Sequence, residues 1–451
     1  MAKVELREAP QRVPNRNAVI PAPASHERRS DIRASPIRLW PGVYLLAATH
    51  LIAFADRFLI ALVAPAMKTA LGFSDFEVGL VQGTAFVAVF VLASILCGGL
   101  VDRLHRPRFI AASILVWSAA SVACGLATSF SELIGARMLL GLGQACLTPL
   151  ALSLIAERQG RAQLGRGISI YTAGATLGRS SALLAGGGLL AVLPATIAFV
   201  PPFGPLPPWR AIFVLSCLPN LVLATLYLVL HDPDRVRTSR QDRPRQHALA
   251  WLARHARRYA AHTVASAATI LIVQSVNAWA VVLYVRRFGL SMAEAGSAFG
   301  LVVVLAAPMG HLAGGWIIDM LARSRPRTAA ILVLAGCLAI TPPIAAVFGL
   351  SDRVAVSLTA LAGLIFLLGL AAPAGLLGLQ TMTPKPLRGR ITSLFIAVVT
   401  TVGFGIGPPS IGALSDRLSD YGGIGLAIVV VVTVAALLGL SGALAGLRRR
   451  A

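Results

Sequence analysis

The sequence predicts an all-α membrane protein with twelve transmembrane helices in two pseudo-symmetric six-helix bundles. Three observations carry this. The 451 residues are 56% hydrophobic and only 13% charged, with mean hydropathy +0.77, whereas ordinary soluble domains are about 25% charged. A window near 20 residues, the length that crosses about 30 Å of hydrocarbon, finds apolar runs at about 40–65, 79–101, 109–128, 132–156, 167–193, 209–230, 261–285, 293–318, 328–350, 354–380, 391–413 and 423–447, numbered here helix 1 to helix 12. The basic residues alternate from loop to loop. Of the 40 Lys and Arg, 31 lie in the two tails and alternate loops, 6 in the intervening loops, and Arg57, Arg137 and Arg179 inside apolar runs. That is the positive-inside pattern, so both termini are expected in the cytoplasm of a multi-pass inner-membrane protein. The net charge of +22 does not imply nucleic acid, because the basic clusters lack aromatic interleaving or a continuous basic face.

In chain order, residues 1–38 are polar, Pro-rich and basic. They read as a disordered cytosolic tail without the early apolar core of a cleavable signal. Residues 39–230 form the first expected bundle and 261–447 the second, with a short basic tail at 448–451. The linker 231–260 sets Leu249, Leu252 and Ala256 against Arg254, Arg257 and Arg258. It is read either as a helix on the inner leaflet or as a solvated basic segment. The five cysteines fall at unrelated spacings, so neither a disulfide framework nor a zinc site is expected. An internal repeat supports the two halves: Gly98, Asp102, Leu104 and Arg106 recur as Gly315, Asp319, Leu321 and Arg323 at one offset of 217 residues.

Gly98-x-Leu100-x-Asp102-Arg103-x-x-Arg106 resembles the loop between helices 2 and 3 of the major facilitator superfamily, and Arg137-Met-Leu-Leu-Gly141-Leu-Gly143-Gln144-Ala145 resembles its helix-4 motif. Phe54-Ala-Asp56-Arg57-Phe58, Ala64-Pro65, Leu71-Gly-Phe-Ser74-Asp75 and the Gly405 to Asp416 segment are similar to the spinster-like branch. The resemblance spans about residues 40–447. It implies alternating access by two rocking bundles. It also implies a latch in which Asp102 accepts hydrogen bonds from the start of helix 11 while Arg103 or Arg106 meets Glu157, with Asp319 acting similarly near helix 5. Two positions depart from the branch: Gln144 stands where Glu is usual, and Arg179 where a small residue is usual.

Asp56 is the one acid well inside an apolar run. A carboxylate near the middle of hydrocarbon costs about 2.5–3.5 kcal/mol on insertion scales, so it persists only where it is neutralised, paired or wetted. At 1.5 Å per residue, Asp56, Arg137 and Arg179 lie about 22, 21 and 18 Å above the inner surface. Asp56 with Arg137 is therefore the candidate proton-coupling pair; the alternative is a permanent ion pair of Asp56 with Arg137 or Arg57 that only ties helices together. Arg57, Arg179, Gln144 and Thr148, with Gln274, Asn277 and Tyr284 on helix 7, are the candidate substrate-binding residues. Arginine forks suit carboxylate or phosphate, which favours an anionic or zwitterionic, amphiphilic cargo. Arg179 has a second reading as a snorkelling side chain, and the helix-7 groups as interhelical glue.

A secondary transporter is the leading class, with a small-molecule substrate and protons as partners beside the lipid bilayer, and a monomer expected. The alternatives are an uncoupled facilitator or a multidrug-type exporter, and, from other classes, a membrane-embedded enzyme or a receptor. No Lys-Ser/Thr phosphate loop is present, and neither a cofactor nor a metal is expected.

Overall fold

The computed structural model describes residues 40–100, 105–158, 163–193, 197–198, 205–230, 246–418 and 423–447. It contains twelve helices long and apolar enough to cross a membrane. They are α1 (Gly42–Leu71), α2 (Asp75–Cys97), α3 (Arg106–Leu126), α4 (Phe130–Arg158), α5 (Leu164–Val192) and α6 (Pro208–Leu228) in one bundle. The other holds α7 (Ala256–Phe288), α8 (Met292–Ser324), α9 (Ala329–Leu350), α10 (Val354–Met382), α11 (Lys385–Arg417) and α12 (Gly423–Leu447). Among the described residues, the strand pairing is a two-residue antiparallel ladder, Ile197–Ala198 with Pro205–Leu206, between α5 and α6. With twelve crossings, the start of α1 and the end of α12 share one face, called here the terminal face; the opposite one is the far face.

The repeat seen in the sequence reappears in backbone geometry. Gly72 and Gly289, 217 residues apart, both end their helices in the left-handed region, with φ of 70° and 69°, a conformation that glycine adopts without a Cβ penalty. Two residues later, Ser74 with Glu77 and Ser291 with Glu294 each form a capping box that satisfies the first N–H groups of α2 and α8. One short far-face hairpin has thus been used twice.

Two helices are interrupted where proline removes a donor. Pro149 has no N–H for the carbonyl of Ala145, and α4 breaks there into Phe130–Gln144 and Leu147–Arg158. Ser94 of α2 takes up the freed Ala145 carbonyl at 3.2 Å. Pro219 acts likewise in α6, which bends at Ser216. In α2, residues Leu80–Thr84 form a π-helical turn.

The two bundles meet in the half of the molecule next to the far face. A Cβ on Gly79 or Gly83 of α2 would strike the backbone of α11 at Pro408 or Phe404. One on Gly187 of α5 would crowd Ala293 and Ser297 of α8, and Gly300 of α8 lies against Leu184 of α5. Among the described residues, every such close glycine approach between bundles falls in this half; the line between the bundles is called here the groove.

Three expectations change. A helix does form at Gln246–Arg254 in the linker, but α7 begins at Ala256, before the expected start. Cys97 and Cys146 are bonded, with Cα atoms 5.5 Å apart, while Cys124, Cys217 and Cys337 are free. Residue spacing gave no sign of this pair because the packing of α2 on α4 brings the two together. Gly143 of α4 packs so closely on the Trp117 backbone of α3 that a Cβ would come within 2.8 Å of its nitrogen. Gly143→Leu is therefore expected to destabilise the protein by about 1–3 kcal/mol, read as a lower melting midpoint in detergent.

Candidate functional site

Successive helical residues are about 100° apart, and this rotation separates Asp56 from Arg57. Asp56, 3% exposed, accepts a hydrogen bond from Asn220 Nδ2 of α6 at 2.7 Å. The Asn220 amide oxygen accepts from Trp117 Nε1 of α3 at 2.9 Å. Asp56 therefore faces the interior of its own bundle. Among the described residues it forms no ion pair with an arginine, so neither the Asp56–Arg137 nor the Asp56–Arg57 pair considered from depth is made. Equal depth says nothing of azimuth, and azimuth decides here.

Arg57 points the other way. Its Nε and Nη2 both donate to Gln144 Oε1, at 3.1 and 2.9 Å, and Gln144 Nε2 donates to the Ala53 carbonyl at 2.8 Å. The rings of Phe54, Phe86 and Phe90 surround the guanidinium at 4.4, 4.4 and 5.0 Å, a cation–π box that substitutes in part for water. Phe404 of α11 touches Phe58 and Phe86 from the second bundle, and Thr84 Oγ1 donates to the Gly405 carbonyl at 2.9 Å. The Arg57 box thus borders the seam between bundles. Arg179 of α5 lies 4.9 Å from the Phe58 ring centre, and its buried Nε has no hydrogen-bond partner.

Arg137, 1% exposed, acts as a fastener. Its Nε donates to the Val81 carbonyl at 3.0 Å, and Nη2 to the carbonyls of Gln82 and Arg57 at 3.3 Å. Val81 and Gln82 belong to the π-helical turn, whose altered register leaves backbone acceptors for the guanidinium. Thr148 is exposed and accepts from the Tyr171 hydroxyl at 3.1 Å. On α7, Gln274 Oε1 and Asn277 Oδ1 are buried without partners, while Asn277 Nδ2 donates to the Val273 carbonyl. Tyr284 does not line the groove. It is fully buried within the second bundle, where Ser357 Oγ donates to its hydroxyl at 3.3 Å and Phe288 stacks on its ring.

The expected terminal-face latch is only partly in view. Asp102 and Arg103 lie outside the described residues, and Gly98 is in the last helical turn before them. Arg106 Nη2 donates to Glu157 Oε2 at 2.8 Å and Nη1 to Ser153 Oγ at 3.2 Å, a contact within one bundle. Asp319 and Arg323 are exposed, with no hydrogen bond or ion pair among the described residues, and a Cβ on Gly315 would meet open space. Asp319 thus has no described partner on α5.

The far face carries a latch that sequence reasoning missed. Asp75, at the start of α2, accepts from Arg286 Nη1 and Nη2 of α7 at 2.6 and 2.5 Å, from Lys68 Nζ at 2.5 Å and from Ser415 Oγ at 2.7 Å. Asp416 of α11 accepts the backbone N–H groups of Asp75 and Phe76 at 2.9 Å each. An anion at a helix N-terminus is favoured by the helix dipole and the unpaired N–H groups. The signals were the Ser74–Glu77 capping box and the Ser415-Asp416 pair, present in the sequence but unconnected.

Residues 46–408 match the family profile of the Major Facilitator Superfamily. The chain belongs to that family. A solved bacterial homologue of the human lysosomal transporter Spinster, in an inward-facing and unoccupied conformation, superposes with a TM-score of 0.77 at 20% identity, covering 90% of this chain and 98% of the other. The MFS-type efflux pump of Mycolicibacterium smegmatis is 26% identical over 418 residues, covering 90% of this chain and 92% of its own. The 3-(3-hydroxy-phenyl)propionate transporter of Escherichia coli is 25% identical over 338 residues, 73% of each chain. This Major Facilitator Superfamily member is a multi-pass membrane protein of a transporter family, and its likenesses point to transport and away from catalysis.

The latch leads to a measurable expectation. Asp75→Asn removes the charge from a carboxylate holding both bundles, and should open the far face. With a single cysteine at position 84 in a chain cleared of its other cysteines, far-face labelling by an impermeant maleimide should speed up several-fold. Unchanged labelling would contradict the latch.

Proposed function

We propose that this chain is a proton-coupled secondary transporter of small organic anions or zwitterions, working by alternating access in the inner membrane with both termini cytoplasmic. The observation that carries the reading is the charge balance of the site. Three guanidiniums lie within membrane-spanning helices without a carboxylate partner among the described residues: those of Arg57 and Arg137 are buried and that of half-buried Arg179 has a buried Nε. Arg137 is committed to backbone carbonyls. Arg57 and Arg179 are left beside the bundle seam, and a carboxylate or phosphate there would receive charge-assisted hydrogen bonds. The surrounding phenylalanines suit an apolar or aromatic body behind the anionic group. The likeness to a transporter of 3-(3-hydroxy-phenyl)propionate, an aromatic carboxylate, supports this chemistry.

Asp56 supplies the proton site on this reading. Its side-chain partners among the described residues, the Asn220 amide and the Ser216 hydroxyl, are neutral, so gain or loss of a proton there breaks no ion pair and leaves the anion site on another face of α1 intact. Protonation acts on the packing of α1 against α3 and α6, and α6 has a proline bend at Ser216 beside the contact. The positive-inside pattern supports a cytoplasmic terminal face, and on this reading the Asp75 network closes the outside. A second reading, an uncoupled facilitator, is favoured by one observation: Gln144, the side chain bound to Arg57, is neutral at every pH and cannot relay a proton.

The two readings part in proteoliposomes. On the first, Asp56→Asn abolishes accumulation driven by a pH gradient but preserves counterflow of labelled substrate; counterflow with no pH-driven accumulation in the parent would establish the second, and equal accumulation in parent and variant would remove Asp56 from the proton path. Arg57→Lys should raise KM about tenfold, since a point charge cannot replace a guanidinium fork. Unaltered uptake kinetics in Arg57→Lys would remove Arg57 from the binding site.

A further inference from the structure

A second basic site lies away from the seam, at the terminal-face corner of the second bundle. The linker helix Gln246–Arg254, the first turns of α7 and the end of α12 enclose a cleft of about 740 Å³. Arg254, His255, Arg257 and Arg258 line one side, and Val264 with Gly446 lies among small apolar residues on the other. No acidic side chain lines it. Among the described residues none of the three arginines has a hydrogen bond or ion pair, and the Arg258 Nε is buried without a partner. Arg258 also borders a narrower cleft that contains Arg327.

The cleft sits at headgroup height. The 33 residues of α7 span about 50 Å at 1.5 Å each, longer than the 40–45 Å of a bilayer with its headgroup layers. Its first turns therefore stand among the headgroups while Val264 has entered the acyl region. The corner is held firmly: Trp251 Nε1 donates to the Tyr259 hydroxyl at 3.0 Å, and that hydroxyl donates to the Met382 carbonyl at 3.2 Å. Leu249 on the linker helix is 61% exposed, as a side chain dipping into lipid would be.

We infer that this cleft binds an anionic phospholipid, its headgroup phosphate on Arg254, Arg257 and Arg258 and an acyl chain along Val264 and Gly446. The uncompensated positive charge calls for an anion, and the apolar wall continuous with it calls for a lipid tail. Clusters of basic side chains beside a membrane helix recognise anionic headgroups. The occupant would tie the linker, and with it the junction of the two bundles, to the membrane surface. None of this depends on the substrate proposed above.

The test uses the full-length protein, delipidated in detergent, and the melting midpoint as readout. Phosphatidylglycerol should raise the midpoint saturably, whereas phosphatidylcholine and inorganic phosphate should not. R254Q/R257Q/R258Q should raise the half-saturating phosphatidylglycerol concentration at least tenfold, and R254K/R257K/R258K should restore it to within about threefold. Equal stabilisation by phosphatidylcholine, stabilisation by inorganic phosphate alone, or an equal loss in K385Q/R390Q would each overturn the proposal. Should the triple variant fail to fold, native mass spectrometry of Arg258→Gln decides: fewer co-purified phosphatidylglycerol molecules are expected, and an unchanged count overturns the inference.

Discussion

Hydrocarbon offers a buried charge no water, so each ionised group inside the membrane must be answered by the protein itself. In this chain that requirement shapes the backbone as much as the side chains. Arg137 is answered by carbonyls of Val81 and Gln82, which a π-helical turn in α2 makes available. The same turn carries Gly83, and with Gly79 beside it lets α11 of the other bundle approach closely. The irregular stretch that meets two of the three guanidinium nitrogens of Arg137, leaving its buried Nη1 without a partner, is also the bearing on which the bundles meet. Arg57 is answered differently, by one amide oxygen and three phenyl rings, which leaves its charge unneutralised. A site with excess positive charge and apolar walls is chemically incomplete without an anion.

The adjacent residues 56 and 57 divide the work because a helix turns. Arg57 faces the seam where a solute would arrive, and Asp56 faces α3 and α6, where the only movable thing is the packing of one bundle. On the proposed mechanism, coupling between the two would run through rigid rotation of α1, with no direct contact between carboxyl and cargo. Two-bundle alternation then needs an end that can be unlocked. On the far face Asp75 and Asp416 are bound across the seam by charge-assisted hydrogen bonds, each to groups on the opposite bundle. On the terminal face Asp319 has no partner among the described residues. The described interactions that lock the bundles together across the seam by charge lie at the far end.

Much of the fold was legible because it rests on length and periodicity. Twelve apolar runs, alternating basic loops and an offset of 217 residues are one-dimensional facts, and the paired glycine caps at Gly72 and Gly289 obey the same offset. The site was legible in its residues but not in its pairings. Depth along a helix follows from counting, so Asp56, Arg57, Arg137 and Arg179 were placed at a common level. Azimuth relative to neighbours depends on packing that no single sequence states, and this is why the expected Asp56–Arg137 contact gave way to Asn220 and the backbone of α2. Tyr284 was misplaced for the same reason. The Cys97–Cys146 bond and the far-face latch join residues 49 and 341 positions apart, and neither leaves a local pattern.

The central claim is that proton and anion occupy different faces of α1, about 100° apart. Titration calorimetry of substrate into the parent and into Asp56→Asn, in two buffers of different ionisation enthalpy, tests it directly. The parent should show a binding enthalpy that depends on the buffer, because protons move when the anion binds. Asp56→Asn should keep its Kd within about threefold, a change of under 1 kcal/mol, and lose the buffer dependence. Loss of binding in that variant would put the carboxyl in the substrate site, and persistent buffer dependence would put the proton elsewhere; either result contradicts the division of labour described.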